Sequence, residues 1–593
     1  MPRESSAVSL KALQTAEPAR VQLATDALGA AGSKDALARL NSAMSELKAM
    51  AVEPLLQQAV QSLLAEDFRA GDEWALKALN HDERNGFGWY LLAIARERLG
   101  DLASSVKAYE AALKLLPDHA EVANDLGRLA FRMGMNVQAE KLFRHYLVRH
   151  PDDHEGANNL ACALRSQGKL DDAVEVLRPA IMVRQDVPML WNTMGTVVAE
   201  QGDYANAMVF FGEALRLDPE FPKARYNLGN ALLALGDPQA ALEACDIAAS
   251  RTKAEVERQM MRLARSTILM ALGRVSEGWE EYEARLHPQY GEITYFLVDR
   301  PRWSPGDELA GKTLLVVGEQ GLGDEILFAN TLPDVIERLG PEGKLIIAVE
   351  ERLVPMFARA FPQAQVGAHK TYGLRNRPAR VVDFVEDMEQ VDLWTPIGSL
   401  LREFRPTVEA FPQRTDLFSA DPKRVAHWRK KLSALPGRKV GLLWKSAISR
   451  GARNRYFSPF QAWAPVLKTE GVTFVNLQYG DCAEELAFAK RKLSVEVFQP
   501  EGIDLKQDLD EVAALCCAMD LVVGFSNATF NIAAGCGVPS WLISTPGAWT
   551  LLGTDRYPFY PQTRVFLPPT FGAWDEVMSE TGEALGAWAG EER

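Results

Sequence analysis

Residues 120–151 read AEVANDLGRLAFRMGMNVQAEKLFRHYLVRHP, and this stretch decides how the first half of the chain folds. Gly134 divides it into two helical halves and Pro151 closes the second. The glycine is one of a series, Gly100, Gly134, Gly168, Gly202 and Gly236, spaced at 34 residues. Ala139, Ala173, Ala207 and Ala241 keep the same interval. A third register runs through Ala78-Leu79, Ala112-Leu113, Tyr146-Leu147, Ala180-Ile181 and Ala214-Leu215, and Pro117, Pro151 and Pro219 close units. Three registers in one phase identify an internal repeat. Glycine supplies a left-handed turn, alanine lets two helices approach, and proline stops the second helix. Each unit exposes an apolar face that only its neighbour can cover, so a stacked superhelix is predicted over residues 50–285. Residues 1–49, rich in Ala, Leu and Gln, are read as a helical segment.

The whole chain has 593 residues, 47% hydrophobic and 24% charged, which suits several soluble domains. A net charge of −14, from 79 acidic against 65 basic residues, argues against a nucleic-acid partner, because phosphate binding requires the opposite sign. No apolar run approaches the ~20 residues of a membrane span, and the N-terminus carries no secretory pattern. Six cysteines without a CxxC pair read as small buried hydrophobes in a reducing compartment, so a cytoplasmic location is expected. The last of eight histidines is His427, which removes histidine-relay and His-ligated zinc chemistry from the C-terminal part.

The repeats resemble the tetratricopeptide repeat, whose Leu-Gly and Ala-x-x-x-Phe signatures stand here as Leu126-Gly127, Leu228-Gly229, Ala139…Phe143 and Ala207…Phe211. Asn124, Asn158 and Asn192 recur on the first helix of successive units, with Asn159 and Asn227 one place on. Side-chain amides both donate and accept, so such a column can grip an extended peptide backbone. The alternative is a polar solvated face. Asparagine ladders of this kind occur in tetratricopeptide arrays on protein glycosyltransferases, and that resemblance implies acceptor-binding roles for Asn124, Asn158, Asn192 and Asn227.

From residue 312 the pattern changes to alternating strands and helices. Strands are predicted at Leu314–Val317, Leu345–Val349 and Val381–Phe384. After Pro436-Gly437 they are predicted at Val440–Trp444, Val472–Leu477, Val495–Phe498, Leu521–Val523 and Trp541–Ile543. Residues 286–311 read as a linker, 312–415 as one α/β half and 416–593 as another. Gly321 and Gly323 permit a tight turn after the first strand, placing Asp324 at a strand-to-helix loop, as a catalytic carboxylate or a plain N-cap. Gly524-Phe525-Ser526-Asn527-Ala528 follows a later strand and opens a helix, where free amides and the dipole make an anion site. Lys445 and the nearby Arg450, Arg453 and Arg455 suit a departing phosphate or form a plain solvated loop, and Gln478 and Tyr479 suit a nucleotide base. Asp508-Leu509-Asp510 mimics a metal-binding pair but opens a helix, so it reads as a capping feature and no metal is expected.

Gly278-Trp279-Glu280-Glu281-Tyr282-Glu283, then Arg300-Pro301-Arg302-Trp303, then Glu319-Gln320-Gly321-Leu322-Gly323-Asp324 together resemble bacterial proteins that fuse tetratricopeptide repeats to a GT-B glycosyltransferase. The design is similar to the flagellin-modifying glycosyltransferases of alphaproteobacteria. The resemblance implies an inverting, metal-independent enzyme with Asp324 as base and Lys445 on the phosphate. Gly323, Gln478, Gly524, Ser526, Asn527, Ala528 and Arg455 would lie around the nucleotide sugar. It also implies a CMP-linked nonulosonic acid donor and a flagellin Ser/Thr acceptor, with no other cofactor. Where the family carries Asp-Thr-Ala and a following His, this chain has Ser526, Asn527, Ala528 and Asn531. That departure fits an acidic donor sugar or a domain without turnover. An inactive repeat scaffold and a lipopolysaccharide sugar transferase therefore stay open as alternatives.

Overall fold

The computed structural model describes residues 33–374, 377–446 and 456–591. The chain divides into two compact units, Met1–Gln185 and Asp186–Arg593. Among its described residues the first is all helical: α1 (Ser33–Leu64), α2 (Phe68–His81), α3 (Gly86–Leu99), α4 (Leu102–Leu115), α5 (Ala120–Arg132), α6 (Asn136–Arg149), α7 (His154–Ser166) and α8 (Leu170–Val183). The second opens with more helical hairpins, α9 (Pro188–Glu200), α10 (Tyr204–Leu217), α11 (Pro222–Ala234), α12 (Pro238–Arg251), α13 (Glu255–Ala271) and α14 (Val275–Tyr282).

The repeat registers have direct structural causes. Gly100, Gly134, Gly168, Gly202 and Gly236 all sit at positive φ, between 76° and 93°, where a Cβ would be strained. Aspartates start many of the helices: Asp67, Asp101, Asp153, Asp203 and Asp237 each accept a backbone N–H from the first turn. The Leu-Gly and Ala-x-x-x-Phe signatures are two sides of one contact. A Cβ on Gly127 would lie 2.7 Å from the Phe143 ring, and one on Gly195 would lie 2.6 Å from Phe211.

Beyond α14 the second unit is α/β. Strands β2 (Thr313–Val317), β3 (Lys344–Val349), β4 (Gln365–Ala368) and β7 (Leu393–Pro396) form a parallel sheet in the order β4-β3-β2-β7. Strands β8 (Arg438–Leu443), β9 (Val472–Asn476), β10 (Leu521–Gly524), β11 (Ser540–Ile543) and β12 (Thr563–Phe566) form a second, ordered β12-β11-β10-β8-β9 and also parallel. A small third sheet joins β1 (Tyr295–Phe296), β6 (Arg377–Val381) and β5 (Lys370–Leu374). Alternation along β2 divides two cores: Leu314 and Val316 face one, Leu315 and Val317 the other.

Three expectations are corrected. The predicted strand Val381–Phe384 contributes only its first residue to β6, and the parallel sheet instead takes Leu393–Pro396, an edge strand that tolerates a terminal proline. Val495–Phe498 makes only an isolated bridge, Val475 to Phe498, before Pro500 removes an N–H from any longer ladder. Residues 286–311 are not a free linker. They carry β1 and the buried Trp303 and Leu309, and the compact units part at residue 185, because α9–α14 pack with the α/β part.

Gly195→Ala should destabilise the protein by about 1–3 kcal/mol, since the new methyl forces the Phe211 ring out of place. Denaturant unfolding should show the loss, and pairing the change with Phe211→Leu should recover part of it.

Candidate functional site

Parallel sheets gather their loops at the carboxyl edges of the strands, and here both sheets do so around one cleft of about 1030 Å³. Gly321–Asp324 follows β2 and Arg352 follows β3. From the second sheet, Ser446 and Tyr456 follow β8, Tyr479 follows β9, Phe525–Thr529 follows β10, Ser544–Thr550 follows β11, and Phe571 follows β12. Helices α11 and α13 add Tyr226, Asn230, Met260 and Leu263.

The glycine loop after β2 is held from beneath by two buried acids. Glu319 takes two hydrogen bonds from Arg285, at 2.8 and 2.7 Å, and one from the Gly398 N–H at 2.7 Å. Glu325 accepts from the Glu350 N–H at 2.9 Å and from Arg380 Nη1 at 2.8 Å, while His369 Nε2 lies 3.2 Å away. Arg380 also donates to the carbonyls of Gly318 and Gln320. Gln320 is thereby kept at φ 60° and Asp324 is left on the cleft side, in α15 (Leu322–Phe328). The N-cap of this helix is Gly321 and not Asp324; from the third helical position the Asp324 carboxylate reaches back to accept the Gly321 N–H at 3.2 Å, and the residue lines the cleft. Such a carboxylate can accept a proton from a hydroxyl brought to it.

Opposite, α17 (Ala528–Gly535) points its N-terminus into the cleft behind the cap residue Asn527, whose Oδ1 accepts from the Phe530 N–H at 2.9 Å. Asn527 Nδ2 and the buried Thr529 Oγ1 have no hydrogen-bond partner among the described residues, although both residues line the cleft. Two side-chain donors beside a helix N-terminus suit an anion. The two loops meet closely: a Cβ on Gly323 would lie 3.5 Å from the Ala528 nitrogen, and Asn531 Nδ2 donates to the Gly323 carbonyl at 3.4 Å. Tyr557 completes the bracket, its hydroxyl donating to Asn531 Oδ1 at 3.1 Å and lying 3.1 Å from Ser526 Oγ. Burial pushes the Tyr557 phenol well above its ordinary value, and the Asp324 charge adds to that although the Ser526 hydrogen bond opposes it. Tyr557 and Arg380 carry no signal by spacing, because each reaches the site from a distant part of the chain, whereas Thr529 directly follows the Gly524–Ala528 motif and Arg285 closes the junction signature.

Other expected residues lie elsewhere. Lys445 Nζ pairs with the Glu485 carboxylate and donates to the Asp481 carbonyl at 2.7 Å, away from the cleft wall. Gln478 is buried, its Oε1 accepting from the N–H groups of Trp444 and Lys445 and its Nε2 donating to the Tyr479 carbonyl, so it braces the loop after β8. Gly524 is a packing glycine, since a Cβ there would lie 2.4 Å from the Leu443 carbonyl oxygen. Arg450, Arg453 and Arg455 lie outside the described residues. Asp508 stands at the N-cap position of α16 (Leu509–Cys516) but its side chain makes no capping hydrogen bond, accepting instead from the Asp504 N–H at 3.1 Å, and Asp510 pairs with Arg359.

The asparagine column is not a solvated face. Asn158 and Asn192 are only 8% and 5% exposed, and Asn227 donates to Asn192 Oδ1 at 2.8 Å. Asn124 is half-buried, with an unpartnered Oδ1 among the described residues.

Models of the tetratricopeptide repeat match residues 90–154, 125–188 and 198–259. Protein FlbA of Caulobacter vibrioides is 51% identical over 561 residues, which covers 94% of this chain and 94% of that protein. The chain belongs to the FlbA family. A BBSome complex member, bbs-4 of Caenorhabditis elegans, is 28% identical over 22% of this chain and 29% of its own length. Among solved structures, a tetratricopeptide repeat protein from Parabacteroides merdae is similar at 13% identity and a TM-score of 0.36, over 40% of this chain and 91% of that one. No helix among the described residues is long and apolar enough to cross a membrane.

In this FlbA-family chain the junction signature has a physical reading. Trp279 donates its indole N–H to the Arg405 carbonyl at 2.9 Å, and Arg285 stacks on Tyr282 and reaches Glu319. Replacing Arg285 with Met leaves the Glu319 carboxylate buried without its partner, and should cost about 3–5 kcal/mol in unfolding free energy. Adding Glu319→Gln should return part of that loss. Burial alone would raise the Glu283 carboxyl, but Arg285 and Arg302 outweigh it and hold it at about 2. Its folded value is therefore depressed below the ordinary 4.5, so its stabilisation is present above that pH and lost as pH falls toward about 2. Glu283→Gln should flatten the acid limb of a stability–pH curve over that window.

Proposed function

We propose that this protein is an inverting GT-B-type glycosyltransferase that moves a nonulosonic acid from a CMP donor to a Ser/Thr hydroxyl of a protein recruited by its repeats, with flagellin as the acceptor. The observation that carries the reading is the opposition of Asp324 and the N-terminus of α17 across one cleft, at the carboxyl edges of two parallel sheets. The resemblance of the junction and glycine-loop signatures supports it. In this reading the Asp324 carboxylate takes the acceptor proton and the hydroxyl oxygen attacks the anomeric carbon. The bond from that carbon to the phosphate oxygen breaks, and the departing phosphate keeps the electron pair. The α17 amides, Asn527 Nδ2 and Thr529 Oγ1 stabilise that phosphate. Lys445, engaged with Glu485, has no part in this step. Asp510, paired with Arg359, leaves the Asp-x-Asp to a structural role, so transfer is expected to persist in a chelator. Ser526 in place of an acid suits a donor that brings its own carboxylate. Recruitment would use repeat surfaces other than the buried Asn158 and Asn192.

A second reading, a binding scaffold without turnover, is favoured by Asn531, whose amide bridges Gly323 and Tyr557 where the resembling family has a histidine. Two measurements separate the readings. In a thermal-shift panel of CMP, UDP, GDP and ADP, CMP at about 100 times its dissociation constant should stabilise by about 2.7 kcal/mol. Asp324→Asn should keep that shift and lower transfer about 100- to 10,000-fold. Near-parental transfer by the variant overturns the role of Asp324, and nucleotide binding with no transfer by the parent favours the scaffold.

A further inference from the structure

With Gln478 committed to the backbone, a nucleotide in this cleft needs another place for its base. The cleft contains an aromatic platform that spacing along the chain did not reveal. Tyr456 is a cleft residue and is 43% exposed. Phe571 meets it edge to face, with ring centroids 5.6 Å apart and an interplanar angle of 84°. Phe571 in turn meets the buried Tyr204 of α10 edge to face, at 5.1 Å and 83°. An edge-to-face neighbour fixes a ring without covering both of its faces. The platform also adjoins the anion site, since Phe457, next to Tyr456, packs its ring 5.2 Å from that of Phe525, next to Ser526. Tyr456 and the α17 N-terminus thus line one cleft, which can take a base at one and a phosphate at the other.

We propose that Tyr456, held by Phe571 and through it by Tyr204 of the repeat helices, is the stacking platform for the donor's nucleobase. The proposal rests on the nucleotide-sugar reading above and adds a dependence of the donor pocket on a repeat residue. Tyr456 is the residue in contact with the base, and Phe571 and Tyr204 are positioning residues.

The test uses the full chain and isothermal calorimetry, first with CMP, UDP, GDP and ADP to find the tightest binder, then with ribose 5-phosphate, which has no base. Tyr456→Ala should weaken the chosen nucleotide about 5- to 150-fold, the range for loss of one stacked base. Tyr456→Phe should bind within about 2-fold of the parent, because stacking needs the ring and not the hydroxyl. Ribose 5-phosphate should bind the parent and Tyr456→Ala alike. Phe571→Ala should weaken the nucleotide less than Tyr456→Ala does. Undiminished nucleotide binding by Tyr456→Ala overturns the proposal, as does an equal loss of ribose 5-phosphate. A parent chain that binds none of the four nucleotides sinks the nucleotide reading itself, a different result from parental binding that is indifferent to Tyr456.

Discussion

The buried pair of Arg285 and Glu319 is the constraint on which the candidate site depends. Both side chains are 1% exposed, so their charges are tolerable only because each satisfies the other and the remaining lone pairs and protons find partners. Those partners come from two stretches: Glu283 beside the arginine, and Gly398 and Ser399 after β7. The end of the helical repeats, the loop after the first strand and the end of an edge strand are thereby tied to one point. The glycine loop that presents Asp324 cannot move without disturbing a desolvated charge. This accounts for the separation of Trp279, Tyr282, Arg285 and Glu319 in sequence and their closeness in space.

The glycine loop distributes three acids to three different tasks by geometry alone. Glu319 faces Arg285, Glu325 faces Arg380 and His369, and Asp324 faces the cleft. Nothing in the chemistry of a carboxylate separates them. Burial does, because the two inward acids are compensated by arginines while the third is left half-buried at the loop's outer edge. On the other wall Ser526, Asn527 and Thr529 offer neutral hydroxyl and amide donors at the helix N-terminus, which complement an anion.

The repeats are not a detachable accessory to this cleft. Helices α11 and α13 turn a second half-buried face, including Tyr226, Met260 and Leu263, toward the same space as Asp324, while Met261, Ile268 and Leu269 fill the repeat core. Compactness follows this packing, so the division of the chain falls within the repeat array and not at its end.

The amino-acid sequence by itself determined the repeats, because a 34-residue period in glycine and alanine reports local requirements: a positive φ at Gly100 or Gly202 and a methyl-sized gap between paired helices. It likewise determined most strands of both parallel sheets and the strand-to-helix positions of Asp324 and Asn527, since these follow from short apolar runs bounded by glycine. Tertiary structure alone decided which polar residues reach the cleft. Gln478 and Lys445 lie beside the cleft loops in sequence, yet one is turned to backbone amides and the other to Glu485. Asn158 and Asn192 keep a periodic register that looks like a ligand ladder, yet close packing of neighbouring helices buries them. Tyr557 and Tyr456 became legible only when distant segments met. The direction of a side chain depends on what packs against it, and local spacing carries no record of contacts made across more than a hundred residues.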